Sequence, residues 1–358
     1  IDKITNAVGV NESGTVIAAR AQIRSSFAVV AADLLEVKRG MTMDILEEEI
    51  FEKVKWYRVR AHDEEQTEGW IEAQNVIVGS LLDKSKKLAA EAKDLQGQAD
   101  GQLRASTNLR LEPEQKDDNI ILKLEKRGEN NATFQIIAWK YVLKAQDASE
   151  VDNAKNVTNR PRTRNEEIEA AKEAGKPEEM DEKYDIWYKV RLAPEVSPAP
   201  AGWVFGRQVE LILPNDIAIY QKQNNRLVTW QKLDGEADDD RGPSKDGIVK
   251  VAKPASWVIL LRSNVVKAKD GLEEPDFDGL LVLGYDKYGQ EHYTVYRNSS
   301  IEGKVPLRIE GSGDSKSFVL QIRNAAGALE EKRFTVFKDA KGRLKVTPPA
   351  DIPVDKKE

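Results

Sequence analysis

Few residue types in this chain could carry out catalysis. It contains no cysteine and only two histidines, His62 and His292, among 358 residues. Without cysteine there can be no disulfide, thiolate metal site or cysteine nucleophile. His292 lies in a strand-like run with no serine nucleophile motif beside it, so we interpret it as a packed or surface residue rather than a general base.

Carboxylates are the remaining candidates for metal binding or acid–base catalysis. The acidic run at residues 234–240 suits a hard cation in its charge. However, a calcium loop closes with glutamate, and Asp246 stands near that position, so we interpret the run as an acidic hairpin loop. Asp276, Asp278 and Asp286 show no spacing that assigns an acid and a base, which makes an enzyme the least favoured hypothesis. The sequence predicts no catalytic residue, no metal site and no cofactor.

An ordered set of landmarks occurs twice. The phrase Trp56-Tyr57-Arg58-Val59-Arg60 recurs as Trp187-Tyr188-Lys189-Val190-Arg191, and a Gly-Trp pair follows each, at Gly69-Trp70 and Gly202-Trp203. A Lys-Arg-Gly triplet ends 16 positions before the first phrase and 59 positions before the second. The set indicates an internal repeat whose second copy carries an insertion of about 43 residues.

The tryptophans and their basic neighbours are the candidate ligand-binding residues. Aromatic side chains can line a groove for an extended peptide, with cations pairing with a carboxylate at its rim. The alternative is that the tryptophans pack as ordinary core or rim and that the cations lie on a solvated strand face. The predicted ligand-binding residues are Trp56, Arg58, Trp70, Trp187, Lys189 and Trp203.

Short strand-like segments with turn residues between them predict that each copy is a small antiparallel barrel or sandwich. Within the first phrase, Tyr57 and Val59 share one face of the strand. We expect Val59 and Ile71 to lie inside. Residues 81–99 have apolar side chains at helical spacing, which predicts a helix that joins the two copies.

The part of the chain after residue 214 predicts one more all-β domain. Turn residues separate about eight strand-like runs, at residues 226–233, 247–252, 257–262, 280–285, 291–297, 304–309, 318–323 and 333–337.

The predicted fold is therefore mainly β, with two small barrels joined by a helix and a C-terminal antiparallel barrel or sandwich. The first domain and its N-terminal arm occupy residues 1–80, and the helical linker occupies residues 81–100. The second domain occupies residues 101–213, with a charged insertion near 145–183 that includes a predicted surface helix at 164–175. The C-terminal domain occupies residues 214–346, and a tail follows at 347–358.

The repeated landmarks resemble the bacterial SH3-like domain. That family shows an apolar residue followed by Arg, then Lys-Arg-Gly, Trp-Tyr-x-Val-Arg and Gly-Trp, as both copies do here. The Gly-Pro that often follows the first arginine is missing after Arg24 and after Arg110. The resemblance implies a binding or targeting module outside the cytoplasm, with a groove for cell-wall peptide near that segment.

The C-terminal domain has a looser likeness. Its strand, turn and strand at residues 281–290 are similar to meanders of calycin-type up-and-down barrels. Such a barrel of eight strands is either filled by side chains or holds one small apolar ligand.

Charge and chain start bear on partners and location. The net charge of −6 disfavours nucleic acid, and no run of 18 apolar residues predicts a transmembrane span. The chain begins at Ile1 rather than Met, so we expect that a preceding segment was removed. A signal peptide, a lipid-anchor segment and an artificial chain start all fit.

These observations lead to two functional hypotheses. The first is a non-catalytic, extracytoplasmic binding protein of the periplasm or cell surface, whose SH3-like pair contacts a cell-wall peptide or another envelope protein. A lipid anchor through the removed segment is compatible with this location. The alternative is a small-ligand carrier that uses the C-terminal β-barrel, with the SH3-like domains as positioning modules.

Overall fold

The computed structural model describes residues 12–126, 132–144, 178–222, 225–234, 239–244, 247–251, 254–268, 272–312 and 316–352. Over these residues the fold is mainly β, as predicted, and consists of antiparallel sheets. The chain forms two compact units. Unit 1 comprises residues 1–137 and 187–211, and unit 2 comprises residues 138–186 and 212–358.

The two repeated copies form two seven-stranded sheets. The first contains β1 (Glu12–Val16), β2 (Arg20–Arg24), β3 (Asp33–Lys38), β4 (Thr42–Phe51), β5 (Val54–Ala61), β6 (Glu68–Glu72) and β7 (Val76–Val78). The second contains β8 (Ala99–Leu103), β9 (Thr107–Arg110), β10 (Ile120–Leu124), β11 (Thr133–Leu143), β12 (Tyr184–Arg191), β13 (Ala201–Phe205) and β14 (Val209–Leu211).

The two sheets have the same topology. The strand order is β3-β2-β6-β5-β4-β1-β7 in the first sheet and β10-β9-β13-β12-β11-β8-β14 in the second. Adding seven to every label of the first order gives the second. The two copies of the five-residue phrase therefore occupy equivalent strands, β5 and β12, and each Gly-Trp pair occupies the next strand, β6 or β13.

The first copy has one apolar core. Val59 and Ile71 are fully buried in it, which confirms the expectation that they lie inside. Tyr57 lies in the same cluster as Val59, because alternate residues of a strand share a face.

The predicted joining helix is shorter than expected. Helix α1 spans Gly79–Glu91, whereas the apolar spacing predicted a helix as far as residue 99. After the helix, the carbonyl oxygens of Ala92 and Leu95 accept hydrogen bonds from Nη2 of Arg191, at 2.7 and 3.1 Å. These side-chain bonds satisfy carbonyl groups that a continuing helix would have paired internally.

In the C-terminal part of unit 2, the described residues form two four-stranded sheets and a hairpin. Their orders are β15-β18-β19-β20, β21-β22-β23-β24 and β16-β17. The strands are β15 (Asn225–Asp234), β16 (Asp239–Ser244), β17 (Gly247–Val251), β18 (Ser256–Ser263), β19 (Gly279–Asp286), β20 (Glu291–Asn298), β21 (Gly303–Glu310), β22 (Lys316–Arg323), β23 (Leu329–Lys338) and β24 (Leu344–Thr347). A one-turn helix, α2, spans Met180–Lys183. All eight predicted strands are confirmed, whereas β16 and β24 were not predicted.

The core of unit 2 is filled with apolar side chains. Seven consecutive residues of β18, from Ser256 to Arg262, are buried, so this strand is covered on both faces. Phe318 and Phe334, both fully buried, stack with ring centroids 4.7 Å apart. A strand buried on both faces explains the continuous apolar run in the sequence, in place of an alternating one.

Several predicted features lie outside the described residues. These are most of the N-terminal arm, the surface helix at 164–175 with most of its insertion, and the last six residues of the tail. Most of the acidic run at 234–240 also lies outside them. Among the helices that the structure describes, none is long and apolar enough to cross a membrane.

Candidate functional site

The first tryptophan of each copy is buried. Trp56 in β5 is 6% exposed and Trp187 in β12 is 2% exposed. The Trp187 ring lies 5.3 Å from the ring of Phe205 on the neighbouring strand β13. Because both rings are packed, neither presents its face to an open groove. The low exposure of Trp56 and Trp187 therefore agrees with the alternative that these tryptophans pack as ordinary core residues.

The second tryptophan of the first copy is half-buried and stands between two arginines. Trp70 lies directly opposite Arg58 of β5 and Arg24 of β2, and directly opposite residues point to the same side of a sheet. Phe27 covers the tryptophan edge-on, with ring centroids 5.1 Å apart. Arg24 donates a 3.0 Å hydrogen bond to the carbonyl oxygen of Val29, which holds the loop that carries Phe27.

Glutamate side chains of the same sheet pair with the cations beside Trp70. Arg58 lies 3.3 Å from Glu47 and 3.1 Å from Glu68. Hydrogen bonds from Arg60 and Arg58 lower the pKa of Glu68. Exposed pairs of this kind add little stability, but they leave Arg58 already paired and so weaken the prediction that it receives a ligand carboxylate.

The second copy repeats this arrangement of a half-buried tryptophan between two cations. Trp203 is half-buried and lies directly opposite Lys189 of β12 and Arg110 of β9. Nη1 of Arg110 donates a 2.9 Å hydrogen bond to Oδ1 of Asn119, which fixes its guanidinium on the protein. The six predicted residues thus occupy equivalent positions in two sheets, with one tryptophan buried and one half-exposed in each.

A pocket of about 450 Å³ lies between the two copies within unit 1. Its volume falls in the range of about 300–1,000 Å³ that is usual for small-ligand sites. The first copy contributes Ile17, Ala18, Arg39, Gln74 and Asn75 to its wall. None of the six predicted ligand-binding residues lines this pocket.

The second copy supplies an apolar floor. Five buried side chains form it, each no more than 7% exposed: Leu103, Leu122, Leu124, Phe134 and Leu192. They come from β8, β10, β11 and the turn after β12, so the floor is the edge of the second copy's core. Because these side chains are almost fully buried, they offer a ligand only a small apolar contact surface, and polar groups make up much of the remaining lining.

The rim of the pocket carries balanced charge. Arg39 and Lys123 supply two cations, and Glu125 and Glu195 supply two carboxylates. Arg39 also links the two copies, because its Nε donates a 3.0 Å hydrogen bond to the carbonyl oxygen of Ile17 and its Nη1 binds the carbonyl oxygen of Glu195. A rim without net charge does not favour a highly charged ligand.

Helix α1 holds the second copy beside the first. Ser85 is fully buried, and its Oγ donates a 2.6 Å hydrogen bond to the carbonyl oxygen of Ala201 and accepts one of 3.2 Å from the Ala201 amide. Arg191, the last residue of the second phrase, binds the chain just after the helix. These contacts fix the two walls of the pocket relative to each other.

Sequence reasoning missed this pocket because its residues are not part of the repeated landmarks. The apolar pattern around Leu122, Leu124 and Phe134 predicts ordinary core positions. These residues also lie far along the chain from Arg39 and Gln74. The pocket exists only because two complete copies face each other. No local pattern records that arrangement.

One of the carboxylates that were considered for catalysis, Asp278, is used in a buried ion pair of unit 2. Arg262 is fully buried and binds Glu274 at 2.7 Å and Asp278 at 3.0 Å. Backbone amides of Lys267 and Ala268 donate to Glu274 at 2.9–3.1 Å. Every carboxylate oxygen of this pair of acids has a partner, as burial of charge requires.

Asp276 and Asp286 lie in different environments. Burial raises the pKa of Asp276, although Lys304 at 3.2 Å and the Val305 amide at 3.0 Å oppose that shift. Asp286 lies in an exposed turn, where hydrogen bonds from the Tyr288 and Gly289 amides lower its pKa. The two aspartates therefore do not form one catalytic pair.

Both histidines contact other residues of the fold. Nε2 of His292 lies 2.9 Å from the carbonyl oxygen of Ala255 and 3.6 Å from Asp216. His62 is exposed and lies 3.1 Å from Asp44. Among the residues that the structure describes, no group of three or more histidine, aspartate or glutamate side chains could hold a metal ion.

No protein-family model matches this chain, and no curated protein matches it.

Proposed function

We propose that this protein is a non-catalytic binding protein of the bacterial cell envelope and that unit 1 binds a peptide in the pocket between its two copies. The single observation that carries the proposal is this pocket of about 450 Å³, with its apolar floor and balanced rim. The ligand is a cell-wall peptide or a peptide segment of another envelope protein.

Three features support a peptide over other ligands. The floor supplies apolar contact, and the rim supplies cationic hydrogen-bond donors and anionic acceptors. The edge of a β-sheet borders the site. The overall net charge of −6 does not favour a polyanion. Peptide recognition by a groove in a β-rich module combines these same elements.

The resemblance of both copies to the bacterial SH3-like domain supports the envelope location. On this proposal the protein acts outside the cytoplasm, in the periplasm or at the cell surface, and a lipid anchor in front of Ile1 is compatible with that role. The tryptophans of both copies and their cross-strand neighbours then serve mainly to hold the sheets together. The carrier alternative for the C-terminal barrel stays a prediction, because nothing observed in the described part of unit 2 favours it.

A pocket-filling variant tests the proposal. Gln74 is exposed and lines the pocket from the first copy, so Gln74→Trp places an indole in the space that the ligand would occupy. Gln115 is also exposed and belongs to unit 1 but does not line the pocket, so Gln115→Trp is the matched control. The full chain and both variants are sedimented with insoluble peptidoglycan, and bound protein is measured against concentration.

We expect the wild type and the control to bind equally and the pocket variant to bind at least about tenfold more weakly, a loss of about 1.4 kcal/mol. If the wild type does not bind peptidoglycan, a photoreactive side chain at position 74 is used in an envelope extract, with position 115 as the control. Absence of both retention and a crosslink specific to position 74 would contradict the proposal.

A further inference from the structure

The pocket is bordered by a sheet edge that has no further partner strand among the residues that the structure describes. Strand β10 is the terminal strand of the second sheet and pairs with β9. Four consecutive residues from Leu122 to Glu125 all line the pocket. Successive side chains of a strand point to opposite faces, so the lining by three consecutive residues of β10, followed by Glu125, indicates that the backbone edge faces the pocket.

We infer that the ligand is an extended peptide that adds to β10 as an eighth strand of the second sheet. This inference rests on the proposed function and specifies how the same pocket recognises its ligand. Amide and carbonyl groups at the free edge would pair with the main chain of the peptide. Recognition would therefore depend on the peptide backbone more than on any one side chain.

The equivalent edge of the first copy shows why β10 is unusual. Strand β3 holds the same terminal place in its sheet and carries Asp33, Glu36 and Lys38. Charged residues of this kind protect an edge from pairing with another chain. Strand β10, with the sequence Ile-Ile-Leu-Lys-Leu, has a single charge, so its edge is much less protected.

The dimensions and charges of the site set the class of peptide. The four residues from Leu122 to Glu125, the last of which follows β10, span about 13 Å at about 3.3 Å per residue, so the edge accommodates about four ligand residues. The rim pairs two cations with two carboxylates, which favours a ligand segment without net charge. Alternate side chains of the added strand would face the apolar floor formed by Leu103, Phe134 and Leu192.

Strand addition makes a specific prediction about the peptide amides. Alternate amides of an added strand face the sheet, and the others face away. The probe is a pool of capped hexapeptides built from Gly, Ala, Val, Ser and Thr, presented to the full chain on beads. The tightest binder is resynthesised in two forms, one N-methylated at its odd amides and one at its even amides.

Two readouts are combined. Binding of both N-methylated forms is measured by isothermal titration, and amide hydrogen exchange is followed in the segment 120–126 of the protein. At a free peptide concentration of about nine times Kd, exchange of the newly paired amides slows about tenfold, because it proceeds only from the unbound fraction. Strand β3, at residues 33–38, is the internal control and should show no change.

The expected result is that one N-methylated form loses binding at least about tenfold, the other retains it, and exchange slows in β10 alone. Equal binding of the two forms, or unchanged exchange in β10 with a bound peptide, would overturn strand addition while leaving pocket binding intact. Failure of every hexapeptide to bind would also overturn it. The peptidoglycan experiment with Gln74→Trp then decides separately whether the proposed function survives.

Discussion

The contact between Ser85 and Ala201 holds the two walls of the pocket, and its removal has a predictable cost. Ser85→Ala leaves both the amide and the carbonyl group of Ala201 without their partner, and both residues are fully buried. An unsatisfied buried polar group costs about 1–3 kcal/mol. Two such groups, less about 0.5 kcal/mol gained from the helix propensity of alanine, predict a loss of about 1.5–5.5 kcal/mol.

Ser80→Ala is the matched control, because Ser80 is exposed in the same helix. Both variants make the same chemical change in the same helix, so a large difference between them reports the two buried hydrogen bonds of Ser85. The assay is amide hydrogen exchange over Gly79–Glu91 in the full chain. The predicted loss corresponds to exchange about 10-fold to 10,000-fold faster in Ser85→Ala than in Ser80→Ala.

Equal exchange rates in the two variants would refute this reasoning. They would show that the hydrogen bonds of Ser85 do not hold the helix against the second copy. The prediction that the two pocket walls keep a fixed separation would then lose its main support.

Three further predictions concern unit 2, and each is measured by urea unfolding of the full chain. Arg262→Met should lower the free energy of unfolding by about 3–5 kcal/mol because it leaves two buried carboxylates unpaired. Arg308→Met, at a partly exposed pair, should lower it by less than about 1 kcal/mol. Equal losses would contradict the assignment of a buried ion pair to Arg262. Gly303→Ala should destabilise by at least about 1–3 kcal/mol because its Cβ would overlap a backbone oxygen of β22, whereas Gly289→Ala, whose nearest neighbour atom is at 3.4 Å, should have little effect. Burial raises the pKa of Asp276, so the folded state holds this proton more tightly, and the corresponding stability is lost as the pH rises above the ordinary pKa of 3.8. The free energy of unfolding of the wild type, relative to Asp276→Asn, should therefore be greatest in acid and should fall as the pH rises. A difference in this free energy that does not change with pH would contradict the raised pKa.

The strands could be predicted well from the sequence because alternation and turn residues are local signals. The run at residues 257–262 predicted β18 correctly, since a continuous apolar run between turns is typical of a strand buried on both faces. Strand β24 was missed because Leu344–Thr347 is short and alternates over only four residues. The class of fold and most of its elements therefore followed from local patterns.

The end of the helix and the place of the pocket could not be predicted in this way. The apolar spacing continues past Glu91, but Arg191, a residue about 100 positions later, satisfies the carbonyl groups that follow it. In the same way, the repeat drew attention to Trp56 and Trp187, which the sheets bury. Contacts between distant parts of the chain decide both outcomes, and periodicity within one segment does not record them.

The central claim is that a peptide binds between the two copies of unit 1, and methyl NMR tests it most directly. The full chain, labelled at leucine methyl groups, is titrated separately with soluble peptidoglycan fragments and with the neutral hexapeptide pool. We predict shifts of the methyl signals of Leu103, Leu122, Leu124 and Leu192, and none for Leu280 in unit 2. Unchanged signals from the four pocket leucines with both ligands would contradict the claim.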